Sequence, residues 1–197
     1  FMETLPDVAA LAEAPEELLL KLWEGLGYYS RVRNLQKAAR IVVEEYGGYI
    51  PDQVEELLRL PGIGAYTAGA VASIAYGRRA AAVDGNVLRV FARLTACKED
   101  VLRPAVKKAL SEVVLSQVPE NTPGAFNQAV MELGETVCLP NTEPRCGACP
   151  LRPLCRGAAE GIARELPVRS PKKARRVEYR LILVVVTEEN VPHVLLH

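Results

Sequence analysis

"LPGIGAYTAGA", residues 60–70, sets a proline and a G-x-G pair ahead of a run of small residues. Glycines placed this way before a helix let backbone N–H groups approach a phosphate. The stretch therefore has to be assigned either to a nucleotide cofactor or to a nucleic-acid backbone. A dinucleotide site needs G-x-G-x-x-G after a strand, in a βαβ unit. Here the third glycine is missing and the residues before Pro61 carry a helical pattern. A Gly-Lys-Ser/Thr phosphate loop is absent as well. What remains is a helix-hairpin-helix. Its turn would point the N–H groups of Gly62, Ile63, Gly64 and Ala65 outward at a helix N-terminus, where they can hold one strand phosphate. A plain αα-hairpin turn would leave the same pattern.

On both sides of the turn the periodicity is helical. Pro15 opens a helix that Gly25 and Gly27 end, and Ser30 is the expected N-cap of the next, with Val32, Leu35, Ala39, Val42 and Tyr46 on one face. Asp52 and Glu55 form a capping-box pattern for a short helix ending at Leu60. An Ala/Gly-rich helix is expected from about residue 65 to 76. Another is expected over "VDGNVLRVFARL" with Val87, Val90 and Leu94 inward, and two more over 104–117 and 124–137. The fold class is therefore all-α. Only "VEYRLILVVVTEE", from residue 177, predicts a strand, so the chain is expected to stop just inside a second, β-containing domain. The opening "FMETLPDVAALAEAP" likewise reads as the continuation of an element already begun.

The formal net charge of the 197 residues is zero, so overall charge gives no argument for a nucleic-acid partner. From Arg164 to Arg180, however, seven Lys/Arg stand against two Glu, as in a solvated linker. No apolar run of about 18 residues predicts a membrane span, and no secretory leader opens the sequence.

Four of the five cysteines fall within 18 residues, in the pattern C-x7-C-x2-C-x5-C of Cys138, Cys146, Cys149 and Cys155. Such density points to a metal centre in a reducing compartment. Four thiolates can hold zinc or an iron–sulfur cluster. Structural zinc usually pairs two short knuckles, and only one is present, which favours a [4Fe–4S] cluster. Cys97 stands apart as an ordinary buried thiol. Asp84 precedes Gly85, a pairing that N-capping alone explains. Its place shortly after the hairpin gives it a second, catalytic reading. Tyr28 and Tyr29 follow Gly27 in a loop; core packing suits Tyr29, while Tyr28 could wedge into a base stack.

Together "WEGLGYYSRVRNL", "LPGIGAYTAGAV", "AVDGNVLRV", "FNQAVMELG" and the cysteine loop resemble the helix-hairpin-helix DNA glycosylases that carry an iron–sulfur cluster, and within them the A/G-specific adenine (MutY-like) branch. The resemblance runs from Phe1 to about Pro167. It implies a helical barrel with the hairpin over 1–80, an iron–sulfur helical domain over 81–163, a basic linker over 164–176, and the start of a MutT-like domain over 177–197. It also implies excision of adenine mispaired with 8-oxoguanine or guanine in double-stranded DNA, by a monomer in the bacterial cytoplasm, associated with the nucleoid.

Residue by residue, the resemblance makes Asp84 the carboxylate that stabilises an oxocarbenium-like sugar, and Asn86 its hydrogen-bonding support. Gln128 falls where the family contacts the flipped adenine, and Tyr28 where it places the wedge. Arg31 and the hairpin residues Gly62, Ile63 and Gly64 are expected on DNA phosphates. Tyr66 stands where endonuclease III-like lyases have a Schiff-base lysine, which favours simple hydrolysis. The alternatives are such a lyase and a non-catalytic DNA-binding module. Two departures accompany the likeness. The family's general-acid Glu lies upstream of the segment matched by Phe1, so residues 1–197 alone are expected not to release adenine. The first cysteine spacing is also one residue longer than the family's.

Overall fold

A computed structural model describes residues 1–171 and 177–179 of the chain. Most of the strand expected from residue 177 lies outside the described residues. Those described are helical throughout, with no strand among them.

Helices α1 (Val8–Glu13), α2 (Glu16–Leu22) and α3 (Ser30–Tyr46) come first. Asp7 caps α1 by accepting the Ala10 N–H at 2.8 Å. Ser30, the expected cap of α3, is instead its first helical residue, because Tyr29 before it already has helical dihedrals. Tyr29 is 39% exposed rather than packed in the core. Leu5, Ala14, Leu19 and Val32 close the core between these helices. Gln36, buried, donates its amide to the Ala14 carbonyl at 2.6 Å and so ties α3 to the end of α1.

Helix α4 (Val54–Leu57) is shorter than expected and begins without a side-chain cap. Asp52 is turned away from it. It accepts from Arg78 Nε at 3.0 Å and from Gln53, and these bonds hold its carboxyl below the usual aspartate range. An ion pair across 26 residues outcompetes the local cap and clasps the two ends of the hairpin region. Helix α5 (Ala65–Ala70) continues into a π-helical turn over Val71–Ala75. Ala38, Val42, Leu57, Leu60, Ala68, Ala72 and Ala80 form the core beneath the hairpin.

Helix α6 (Gly85–Leu94) is the centre of the second half. Every residue from Val87 to Arg93 is buried, so the expected one-sided helix is covered on all sides. Helix α7 (Pro104–Gln117) packs Val106 and Leu110 against Leu88 and Ala92. Helix α8 (Pro123–Thr136) packs Val130 against Val87, Val90 and Phe91. Helix α9 (Arg156–Ala159) follows the cysteine loop and lies on α6.

The segment that carries the chain from the π turn into α6 is held by close approach. A Cβ added at Gly69 would stand 2.1 Å from the Ala81 carbonyl oxygen. Gly69→Ala should gain about 1 kcal/mol of helix propensity. It should nonetheless lose about 1–3 kcal/mol net to overpacking, because both clashing groups are backbone and cannot swing aside. A lower urea midpoint with unchanged slope is the expected result; an unchanged midpoint would mean that the approach is looser than this.

Candidate active site

Asp84 caps α6. One oxygen accepts the Val87 N–H at 2.7 Å and the other accepts from Asn86 Nδ2 at 3.0 Å. The carboxylate thus sits half-buried at a helix N-terminus, where the helix dipole favours its charge. Asn86 is itself fixed, since its Oδ1 accepts from Arg89 Nη2 at 2.8 Å. Arg89 donates also to the carbonyls of Gly134 at 2.6 Å and Cys138 at 2.7 Å. The carboxylate is therefore linked, bond by bond, to Cys138, the first of the four clustered cysteines.

Behind Asp84, Asn127 of α8 grips the incoming segment. It is 1% exposed, donates to Ser73 Oγ and the Ala80 carbonyl, both at 2.8 Å, and accepts the Ala82 N–H at 3.1 Å. Sequence reasoning singled out its neighbour Gln128 and passed over Asn127. Gln128 is exposed on α8, with no protein partner among the described residues. From Gln128, Met131 and Gly134 follow at i+3 steps along α8, from its exposed to its buried face. Tyr66 Oη lies 3.6 Å from Met131 Sδ. Gly134 admits Asn86 so closely that a Cβ there would fall 2.7 Å from the Asn86 Cβ. Six residues of helix span about 9 Å. Tyr66 and Asn86 accordingly meet α8 within two turns of Gln128.

The hairpin turn abuts this group, because Tyr66 is the second residue of α5. Gly62 has φ +81° and Gly64 precedes α5 in extended conformation. One expectation is corrected: the Ile63 N–H points inward and donates to the Leu60 carbonyl at 3.1 Å. The outward donors are those at the start of α5, which have no intrahelical acceptor. The turn rests on Asn34 of α3, whose Cβ would lie 2.8 Å from a Cβ at Gly62. Arg31 stands one turn earlier, and Tyr28 precedes α3 at 82% exposure with φ +49°. The Arg31 guanidinium lies over both the Tyr28 and Trp23 rings, at 5.8 and 5.4 Å. Tyr28, Arg31 and the turn thus line one end of α3. The rest of the basic face is partly committed elsewhere, with Arg33 paired to Glu16 at 2.7 Å and Arg40 donating to the Ala12 carbonyl.

Cys138, Cys146, Cys149 and Cys155 all line one pocket, together with Val90, Leu133 and Arg93. Among the described residues no three His, Cys, Asp or Glu side chains are gathered to hold one metal ion. Burial pushes the Cys146 thiol up, and the other three cysteines push it the same way. The loop between Cys138 and Cys146 is closed by the Arg145 N–H on the Val137 carbonyl at 2.9 Å, with Asn141 at φ +57° taking the bend. Asn accepts that conformation more readily than most residues. Arg93, 3% exposed, donates to Cys138 Sγ at 3.2 Å and has no carboxylate partner among the described residues. Cys97 is only half-buried.

Among curated proteins, the human adenine DNA glycosylase is 49% identical over 157 residues, 79% of this chain and 29% of its own length. That of Buchnera aphidicola is 32% identical over 190 residues, 96% of this chain and 54% of its own. The chain thus spans about half or less of these relatives. Among solved structures, a thermostable thymine-DNA glycosylase matches with TM-score 0.71 and 29% identity, over 81% of this chain and 73% of that one. An endonuclease III–DNA complex matches with TM-score 0.66 at the same identity and coverage. Residues 1–115 match the profile of the HhH-GPD superfamily base excision DNA repair proteins, and the chain belongs to that superfamily.

Proposed function

We propose that the chain provides the catalytic aspartate and the DNA-gripping surface of a monofunctional adenine DNA glycosylase. Its substrate would be adenine opposite 8-oxoguanine or guanine in duplex DNA. The observation that carries this reading is the Asp84 carboxylate, restrained at the start of α6 by the Val87 N–H and Asn86. As the N-glycosidic bond breaks, positive charge develops on the sugar, and a fixed anion lowers the energy of that state without having to reorganise. Asn86 and the Val87 N–H hold the carboxylate ready. Gln128 supplies an amide for the edge of the extruded adenine, and Tyr28 fills the stack opposite. Tyr66 has no amine to form a Schiff base, so the phosphodiester is left intact.

The four cysteines fit a [4Fe–4S] cluster. They share one pocket without converging on a single ion, and the buried Arg93 guanidinium beside Cys138 would be balanced by the negative thiolate set. When bound, the cluster would supply a covalent cross-link from the end of α8, at Cys138, to the start of α9, at Cys155. The names and shared identity of the relatives support duplex DNA as the partner. The reading includes a monomer, a cytoplasmic, nucleoid-associated place, and domains divided at residues 80 and 163. No helix among the described residues is long and apolar enough to cross a membrane.

The test is single-turnover incubation of the full gene product with an A:8-oxoguanine duplex. Free adenine with an intact strand until alkali is added is the expected result. A covalent adduct trapped by borohydride would replace this reading with the lyase one. Intact adenine in DNA that remains tightly bound would leave only a binding module.

A further inference from the structure

A second pocket, of about 120 Å³, lies between α6, the loop at Pro140–Asn141 and residues 164–169. Four guanidinium groups line it: Arg89, Arg93, Arg164 and Arg169. No carboxylate and no cysteine does. Two of the four arginines are deeply buried, Arg89 at 4% and Arg93 at 3% exposure.

Their hydrogen bonds are directional. Arg89 spends Nε and Nη2 on protein acceptors, and Arg93 spends Nε and Nη1. Arg89 Nη1 and Arg93 Nη2 have no acceptor among the described residues. Neither is a sealed unsatisfied atom, so both reach open space. Burial pulls Arg89 below the usual arginine range, and Arg93 and Arg169 repel its charge further, against opposing pulls from Cys138 and Asp84. Glu143 approaches Arg164 at 3.8 Å, where both are exposed.

The wall carrying Arg169 is also fixed, although this stretch begins what the sequence presents as a solvated linker. The Leu166 carbonyl accepts from Arg93 Nε at 2.9 Å, the Val168 carbonyl accepts the Val101 N–H at 3.1 Å, and Ser170 Oγ donates to Asp100. Three anchors hold a positive group facing three others. Such an arrangement is built for an anion.

We propose that this pocket binds one phosphate-class oxyanion, with Arg89 Nη1, Arg93 Nη2 and the Arg164 and Arg169 guanidinium groups as its donors. The space is that of about four waters at about 30 Å³ each, enough for one tetrahedral oxyanion. Arg89 and Arg93 each offer one directed N–H group and Arg169 a guanidinium fork, a set that suits an oxyanion's oxygens better than a spherical halide. The source is either free inorganic phosphate or a phosphate of the DNA strand.

Thermal unfolding of the full, metal-loaded gene product, with inorganic phosphate exchanged for chloride at constant ionic strength, tests the site. Phosphate should raise the melting temperature saturably, by a few degrees. The double variant Arg164→Gln/Arg169→Gln should lose that rise. Asn141→Asp, which places a carboxylate at the rim, should melt higher without phosphate and respond little to it. Equal effects of phosphate and chloride, or an undiminished rise in both variants, would overturn the proposal. Competition with a labelled duplex separates the sources. Phosphate displacing DNA beyond chloride in the wild type, and not in the double variant, assigns the site to a strand phosphate. Displacement equal to that by chloride assigns it to the free anion, and either source upholds the site. Because the melting readout needs no catalysis, its failure is distinguishable from failure of the glycosylase reading.

Discussion

Asp84→Asn in the full gene product should slow single-turnover adenine release by about 10²–10³-fold, the usual cost of removing one preorganised electrostatic group. The same change should cost folding no more than about 1–2 kcal/mol. Asn is as good an N-cap as Asp, so the bond to the Val87 N–H survives. What is lost is the charge, with its attraction to the start of α6 worth about 0.3–1 kcal/mol, and the bond from Asn86 Nδ2, which the new amide nitrogen cannot accept. Asp84→Ala makes the control, because it also removes the cap and should cost about 1 kcal/mol more in stability with no greater loss of rate. Release measured beside a urea melt separates the two. If Asp84→Ala melts below Asp84→Asn and both release adenine within tenfold of wild type, the carboxylate is a cap and nothing more.

That double reading of Asp84 explains what could be learned from the sequence. Asp-Gly before an apolar helix announces a cap whether or not the carboxylate also does chemistry, and the structure shows the cap directly. The hairpin turn was legible for a similar reason, since G-x-G between two helical patterns is local information. What sequence reasoning missed depends on partners far along the chain. In "VLRVFARL" the two arginines fall where a one-sided helix would expose them, yet α6 is covered all round and both are buried. Their acceptors at Gly134, Cys138, Leu139 and Leu166 lie 45 to 73 residues away. Asn127 is hidden in the same way beside the more conspicuous Gln128. Asp52 shows the converse: a capping-box pattern was present, but the distant Arg78 took the carboxylate.

Arg89 is where these long-range bonds meet, and its removal should give the largest loss of stability outside the core. Arg89→Met keeps the stem's volume, so little cavity forms. It leaves Asn86 Oδ1 and the Gly134 and Cys138 carbonyls without their donor. Each unsatisfied buried acceptor costs about 1–3 kcal/mol. Relief of the repulsion from Arg93 and Arg169 works in the opposite direction. The net loss should therefore lie near the low end of the sum, about 3 kcal/mol. Adenine release should fall as well, by about tenfold, because Asn86 loses the bond that aims its amide at Asp84. Arg89→Lys should restore little, since one ammonium cannot serve acceptors on two helices and a loop as a planar fork does. A double-mutant cycle with Asn86→Ala decides whether the rate effect travels through Asn86. Coupling means that the rate loss in Arg89→Met disappears once Asn86 is already gone. Full additivity would reduce Arg89 to a stabilising residue that happens to lie near the carboxylate.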